Sequence, residues 1–309
     1  MKISTGQFFD RAVLQMGDRQ GDLSKVQAQL ATGKQIVKPS DEPDRAAAVL
    51  RIKSVVDRQD RHLESLVAAK NRLGVEEGVL TDAGDLLARI KELALQAANG
   101  TYDPGNREVI AIEIDGMREQ LLSLANARDT QDNYLFAGTR TQTRPFQADA
   151  QGTIVYLGDQ TRVEVAVGDH RDLNMNRSGT DVFTSLERPP TEPDGPPQTI
   201  GFFEALQDLS ETVRRGTEVD MQRGLGELDQ MVQNIAYAVS EVGTDRRVAE
   251  MQTEMVEETQ LQMRAVLSNV EDLDYAEAVT RMQKQVLALE AAQRSFAQIS
   301  RLSLFEYLR

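Results

Sequence analysis

The sequence predicts a mainly α protein: a long helical bundle or coiled coil formed by N- and C-terminal arms, with a small β-rich domain at its centre. Three observations carry that prediction. Ala, Leu, Gln, Glu and Arg crowd the chain while aromatics make up only 5% and Trp is absent, a mixture that suits long helices better than a sandwich or barrel. Apolar residues recur at spacings of four and three near both ends, the mark of one seam along a helix. From about 136 to 199 that pattern gives way to Gly, Thr, Pro and Val.

At the N-terminus the seam runs through Phe9, Val13, Met16, Gln20, Leu23, Gln27 and Leu30. Polar seam residues weaken a coiled coil and help fix its register and partners. Gly17 and Gly21 each cost roughly 1 kcal/mol relative to Ala in a helix interior. This helix is therefore expected to need neighbours. The C-terminus mirrors it through Tyr275, Val279, Met282, Val286, Leu289, Gln293 and Phe296, continuing to Ile299, Leu302 and Phe305. The terminal helices are expected to pair with each other; two unrelated amphipathic surface helices would show the same periodicity.

After the first helix comes Pro39-Ser40-Asp41-Glu42-Pro43-Asp44. Its close carboxylates tempt a calcium reading, but it lacks the length and spacing of an EF-hand loop. Ser40 or Asp41 is expected to cap the next helix, with Pro43 in its first turn and the negative charge facing the helix dipole. Further helices follow Ile52, Val56, Leu63, Leu66 and Leu73, then Ile110, Ile114, Met117, Leu121 and Leu124. Asn99-Gly100 and Asp103-Pro104-Gly105 mark a turn between them. On the far side, 202–215, about 219–242 and 244–267 read as helices, with Gly216 and Gly243 as C-terminal caps.

In the centre, 154–157 and 162–167 read as strands, the second alternating Val163, Val165 and Val167 with Arg162 and Glu164. Gly158-Asp159 is expected to close them into a hairpin. The Pro-rich run from Arg188 to Pro197 cannot continue a helix or a central strand, so it reads as an extended loop returning to the helical layer.

Composition narrows the function classes. The 49 acidic residues outnumber the 35 basic ones, for a net charge of -14, and no basic cluster interleaved with aromatics exists, which argues against nucleic acid. No stretch of about 18 apolar residues is present to insert into a membrane, and the start lacks the apolar region of a cleavable signal peptide. Cysteine is absent, which removes disulfides, thiol nucleophiles and thiolate metal sites. The two histidines, His62 and His170, have no neighbours at ligand spacing, and His62 reads as solvent-facing. Glycine-rich phosphate loops are missing. Nothing suggests a catalytic, cofactor-binding or metal site; an enzyme is not expected.

Leu30-Ala31-Thr32-Gly33-Lys34-Gln35-Ile36-Val37-Lys38-Pro39-Ser40-Asp41-Glu42-Pro43 closely resembles the loop after the first helix in flagellins and hook-associated proteins. Glu42 stands where that family has Asp at the second acidic position. Near the other end, 271–278, Leu289-Glu290-Ala291-Ala292 and 302–308 resemble the family's C-terminal tail. Asn133-Tyr134-Leu135-Phe136-Ala137-Gly138-Thr139, Arg144-Pro145-Phe146 and Gly179-Thr180-Asp181-Val182-Phe183 are more similar to the members that join hook to filament than to filament flagellin. The resemblance covers both helical arms and touches the middle only through these short motifs.

It implies a flagellin-like structural subunit at the hook-filament junction, secreted through the flagellar type III apparatus and extracellular in its final place. Implied partners are the other hook-associated junction protein, flagellin, further copies of the chain in a helical ring, and a flagellar export chaperone that holds the terminal helices before they fold on assembly. The chain would then be monomeric in solution. In the implied architecture 1–45 with 270–309 form the inner tube, 46–136 with 200–269 a bundle outside it, and 137–199 a β-rich outer domain. Assembly contacts are expected at Phe9, Val13, Leu23, Leu30, Val286, Leu289, Phe296 and Leu302, with Pro39 and Asp41 setting the loop. Rival readings are filament flagellin and a non-flagellar helical scaffold protein, which would form a stable dimer through the same seams.

Overall fold

The structure, a computed structural model, describes residues 2–99, 103–168, 171–188 and 198–307. Gly100, His170 and the Pro-rich run from 189 to 197 lie outside them. Two compact units are present, residues 1–60 with 258–309 and residues 61–257. The long helices are α1 (Lys2–Thr32), α2 (Pro43–Ala97), α3 (Pro104–Ala125), α5 (Phe202–Arg215), α6 (Glu218–Glu271) and α7 (Tyr275–Tyr307), with a short α4 (Gly179–Val182) inside the β-rich segment. His62 is half-buried within α2 rather than solvent-facing.

In the 61–257 unit, α2 buries Leu66, Leu73, Leu80 and Leu87 completely, one residue every seven. α6 answers with Leu228, Ile235, Val242, Ala249 and Val256 at the same interval. Each fully buried aliphatic side chain contributes about 1.5–3 kcal/mol. That explains the fate of Gly243, which lies inside α6 instead of ending a helix. One interior glycine costs about 1 kcal/mol, less than the burial that continuous helix secures on either side of it. Gly216 does terminate α5, with φ 74° and its N–H donating to Thr212 O. At the start of α3, the Asp103 carboxylate accepts from Asn106 N–H at 2.8 Å and Pro104 takes the first helical position.

Among the described residues, six short strands form three antiparallel pairs: β1 (Phe146–Ala148) with β2 (Ile154–Tyr156), β3 (Glu164–Gly168) with β4 (Arg171–Asn174), and β5 (Leu186–Arg188) with β6 (Gln198–Ile200). The expected hairpin between 154–157 and 162–167 is therefore corrected. β2 folds back on β1 and β3 goes forward to β4. The reason lies at Asp159, most of whose hydrogen bonds point backwards. Asp159 N–H donates to Ala137 O at 3.2 Å, and the Asp159 carboxylate accepts from the Thr139 hydroxyl at 2.6 Å and from the Thr139 and Thr161 N–H groups at 3.1 and 2.9 Å. The Thr139 hydroxyl and these amides hold that carboxyl well below the usual carboxylate range. Gly138 has φ 69°, and a Cβ there would stand 2.3 Å from Asp159 O, so no side chain fits.

Five phenylalanines and Tyr156 gather under this segment. Phe183 has ring centroids of Phe136, Phe146, Phe202 and Phe203 within 5.3 to 5.9 Å, and Phe146 packs on Tyr156 at 5.2 Å. Most of these contacts are edge-to-face, the arrangement favoured by the ring quadrupoles.

Three arginines then fasten the segment to the helices. Arg72 of α2 pairs with Asp129 at 2.6 Å and donates to the carbonyls of Met175 at 2.9 Å and Leu135 at 3.1 Å. Arg188 grips Glu227 of α6 with two nitrogens, at 2.6 and 3.0 Å, and Asp208 of α5 at 2.8 Å. Arg177 follows β4 and reaches Glu76 of α2 at 3.5 Å, with Glu241 and Asp245 of α6 at 3.3 and 2.7 Å.

Glu76 is 0% exposed. Burial pushes its carboxyl up to about 7 from an ordinary 4.5, against the pull of Arg177 and Arg72. A folded state that keeps a proton the unfolded chain has released loses stability as pH rises from about 4.5 to about 7. We expect Glu76→Gln to remove that component: in urea unfolding, the stability difference between variant and parent shifts in the variant's favour by up to about 3 kcal/mol from pH 5 to pH 8. Parallel pH profiles would refute the buried carboxyl as its source.

Candidate assembly interface

The unit made of 1–60 and 258–309 brings the two ends of the chain together. α1 and α7 pack on each other. On α1 the residues turned inward are Ala12, Met16, Leu23, Val26, Gln29 and Leu30; on α7 they are Ala278, Met282, Gln285, Leu289, Ala292 and Phe296. The expected seam is half right. Met16, Leu23, Leu30, Met282, Leu289 and Phe296 belong to it. The alternate positions move back by one residue in both helices, from Val13 to Ala12 and from Val279, Val286 and Gln293 to Ala278, Gln285 and Ala292. Gln20 and Gln27, read as seam residues, are exposed; the buried glutamine of α1 is Gln29.

The displacement has a packing reason. Both tracks satisfy a four-three spacing, and alanines let two backbones approach more closely than valines do. The valines are left outside: Val13 is 55% exposed, Val279 39% and Val286 37%, beside exposed Leu14 and Leu287. Leu23, Leu30, Leu289 and Phe296 are half-buried in the seam. The side chains of Phe9 and Leu302 lie outside those described. Between the helices runs a groove of about 670 Å³ lined by Ala12, Met16, Ala292 and Phe296 among others.

At the inner end of the pair sits a clasp that periodicity did not reveal. Gln35 N–H donates to Glu271 O at 2.8 Å and Leu273 N–H to Gly33 O at 3.0 Å, an antiparallel bridge between the loop after α1 and the connection from α6 to α7. Gly33 makes this possible with φ 69°; a Cβ there would lie 2.7 Å from the Tyr275 hydroxyl. The buried Glu271 carboxylate takes Lys34 at 2.6 Å and Lys53 of α2 at 2.8 Å. Burial alone would push its carboxyl up, but the hydrogen bonds from Lys34 and Lys53 prevail and the net shift is downward. The Gln29 amide donates to Gln35 O and closes the loop from beneath.

Pro39 and Asp41 sit in that loop, both exposed. Asp41 N–H donates to Lys38 O at 3.0 Å and its carboxylate faces Lys25 at 3.4 Å. Because α2 opens at Pro43, the residue directly before it is Glu42, not Ser40 or Asp41; Glu42 O accepts from Ala46 N–H, and its carboxylate pairs with Arg45 at 3.3 Å.

Known proteins share this layout. The family profile described as bacterial flagellin N-terminal helical region matches residues 3–141, and that described as bacterial flagellin C-terminal helical region matches residues 225–308. The chain is 26% identical to flagellar hook-associated protein 3 of Salmonella typhimurium over 100% of both chains. Flagellin of Bacillus subtilis is 22% identical over 89% of this chain and 88% of its own. The crystal structure of flagellar hook-associated protein-3 from Legionella pneumophila has the same fold, with a TM-score of 0.64 at 18% identity over 72% of this chain and 98% of that one. With 3–141 and 225–308 matched in order to the family's N- and C-terminal helical regions, the chain belongs to the bacterial flagellin family and is a structural protein of the flagellum rather than an enzyme.

Proposed function

We propose that this chain is the subunit that joins the flagellar hook to the filament. The observation that carries the reading is end-to-end similarity to hook-associated protein 3, with 100% of each chain covered. Filament flagellin is the weaker alternative, since the B. subtilis flagellin aligns less completely and at lower identity.

In this reading, 1–45 with 270–309 form the inner tube, 46–136 with 200–269 a bundle around it, and 137–199 the outer domain. Subunits contact one another head to tail, a heterologous arrangement that builds a helical ring. The valines left outside the α1–α7 seam, Val13 and Val286, face neighbouring subunits, together with Phe9 and Leu302; Leu23, Leu30, Leu289 and Phe296 hold the arms in the shape that presents them. Pro39 and Asp41 set the loop. The neighbours are the other hook-associated protein on one side and flagellin on the other. Before assembly the chain is exported by the type III apparatus with its arms held by a chaperone. Ordering the arms costs roughly 1–2 kcal/mol of backbone entropy per residue, which contacts between subunits offset.

Cells lacking the chain are expected to carry hooks without filaments and to release flagellin into the medium. A plasmid copy of the chain restores filaments and extra flagellin does not. Normal filaments on the deletion strain would remove this reading.

A further inference from the structure

The α1–α7 seam repeats itself. Met16, Leu23 and Leu30 are seven apart on α1, and Met282, Leu289 and Phe296 are seven apart on α7. Stepping outward from the antiparallel bridge brings Leu30 level with Ala278, Val26 with Met282, Leu23 with Gln285, and Met16 with Ala292; the last two line the same groove. Slide one helix by seven residues and the pairs made by Met16 and Leu23 keep their character. Met16 then meets Gln285, and Leu23 meets Ala278, again apolar against small or polar. The four-three spacing of the seam does not by itself distinguish the two registers; in coiled coils a contact that does not repeat must specify the alignment.

What does not repeat is the clasp. Gln35 and Gly33 bridge to Glu271 and Leu273, and the buried Glu271 carboxylate holds both Lys34 and Lys53, a set of partners found once along the two helices. We propose that this clasp is a register pin: it selects one alignment of α1 against α7 and so decides which residues stay outside the seam. The inference rests on the arms being paired in the assembled protein.

Engineered cysteines report the register cleanly because the chain has none of its own. In flagella isolated from cells producing the full chain, Met16→Cys with Ala292→Cys is expected to cross-link and Met16→Cys with Gln285→Cys is not. Adding Glu271→Lys, which sets a third positive charge beside Lys34 and Lys53, is expected to lower the first cross-link by about threefold or more and raise the second. Reversing the lysines as well, with Lys34→Glu and Lys53→Glu, restores the original pattern. Should Glu271→Lys block incorporation, the same pairs are read in the full-length chain with a structuring osmolyte. An unchanged Met16–Ala292 cross-link in the Glu271→Lys chain overturns the pin. Failure of that cross-link in the otherwise unaltered chain overturns the paired arms, and the pin with them.

Discussion

Replacing Arg72 with Ala lowers the stability of the 61–257 unit by about 3–5 kcal/mol, the usual cost of removing one partner from a buried ion pair. Arg72 and Asp129 keep only 12% and 9% of their side-chain surface, so water does not readily replace the guanidinium. The loss leaves the Asp129 carboxylate without its cation and the Met175 and Leu135 carbonyls without their donor. Arg72→Lys is expected to recover little of this, because a single ammonium cannot span partners that the planar fork reaches from separate nitrogens. Arg118, whose bond to Gln207 is exposed, serves as the control, with a change within about 0.5 kcal/mol on replacement by Ala. Urea unfolding followed by far-UV circular dichroism measures all three. A loss below 1 kcal/mol for Arg72→Ala would mean that the β-rich segment is held by its aromatic core and not by this clamp.

Deleting 1–32 together with 275–309 abolishes filament attachment while the 61–257 unit stays folded. The reason is where the apolar contacts lie. The buried cluster built on Leu66, Leu73, Leu80, Leu87, Phe136, Phe183 and Val242 draws every member from within 61–257, so its stability does not depend on the arms. The arms in turn present exposed Val13, Leu14, Val279, Val286 and Leu287, surface that gains free energy only against another molecule. The truncated chain is expected to show an unfolding transition for the core unit within about 2 °C of the parent's and no recovery of swimming in a deletion strain. Recovered swimming would show that the terminal helices are dispensable for the junction.

Periodicity made the helices legible, and with them the two arms, because burial on one face of a helix leaves its mark every three or four residues whatever the partner is. Caps with a local mechanism were equally readable: Gly216 terminates a helix because its own backbone adopts φ 74°, and Asp103 caps one because its carboxylate reaches an amide three residues away. Gly243 misled for the complementary reason. Its local preference was outweighed by the heptads on both sides, and only their burial shows it. The hairpin was misplaced because Asp159 answers to Ala137 and Thr139, about twenty residues back, and turn chemistry alone carries no trace of that.

The charged fasteners lay in plain view without being recognised. Glu76 interrupts the seven-residue track Ala69, Ala83 and Ile90 of α2, and Asp245 the track Met231, Ala238 and Gln252 of α6. An acidic residue where the helix is otherwise buried calls for a cation from elsewhere, and that cation is Arg177, more than sixty residues from either.

By itself, then, the sequence determined the repeat: that long helices make up both arms, that both ends carry a seam, and that Gly216 ends a helix. Tertiary structure alone decided the phase of that repeat. Two tracks one residue apart satisfy the same spacing, and the choice of Ala12 over Val13 and of Gln285 over Val286 depends on how closely two backbones approach. Closeness between residues 33 and 273 is a property of the folded chain, and no local rule of spacing encodes it.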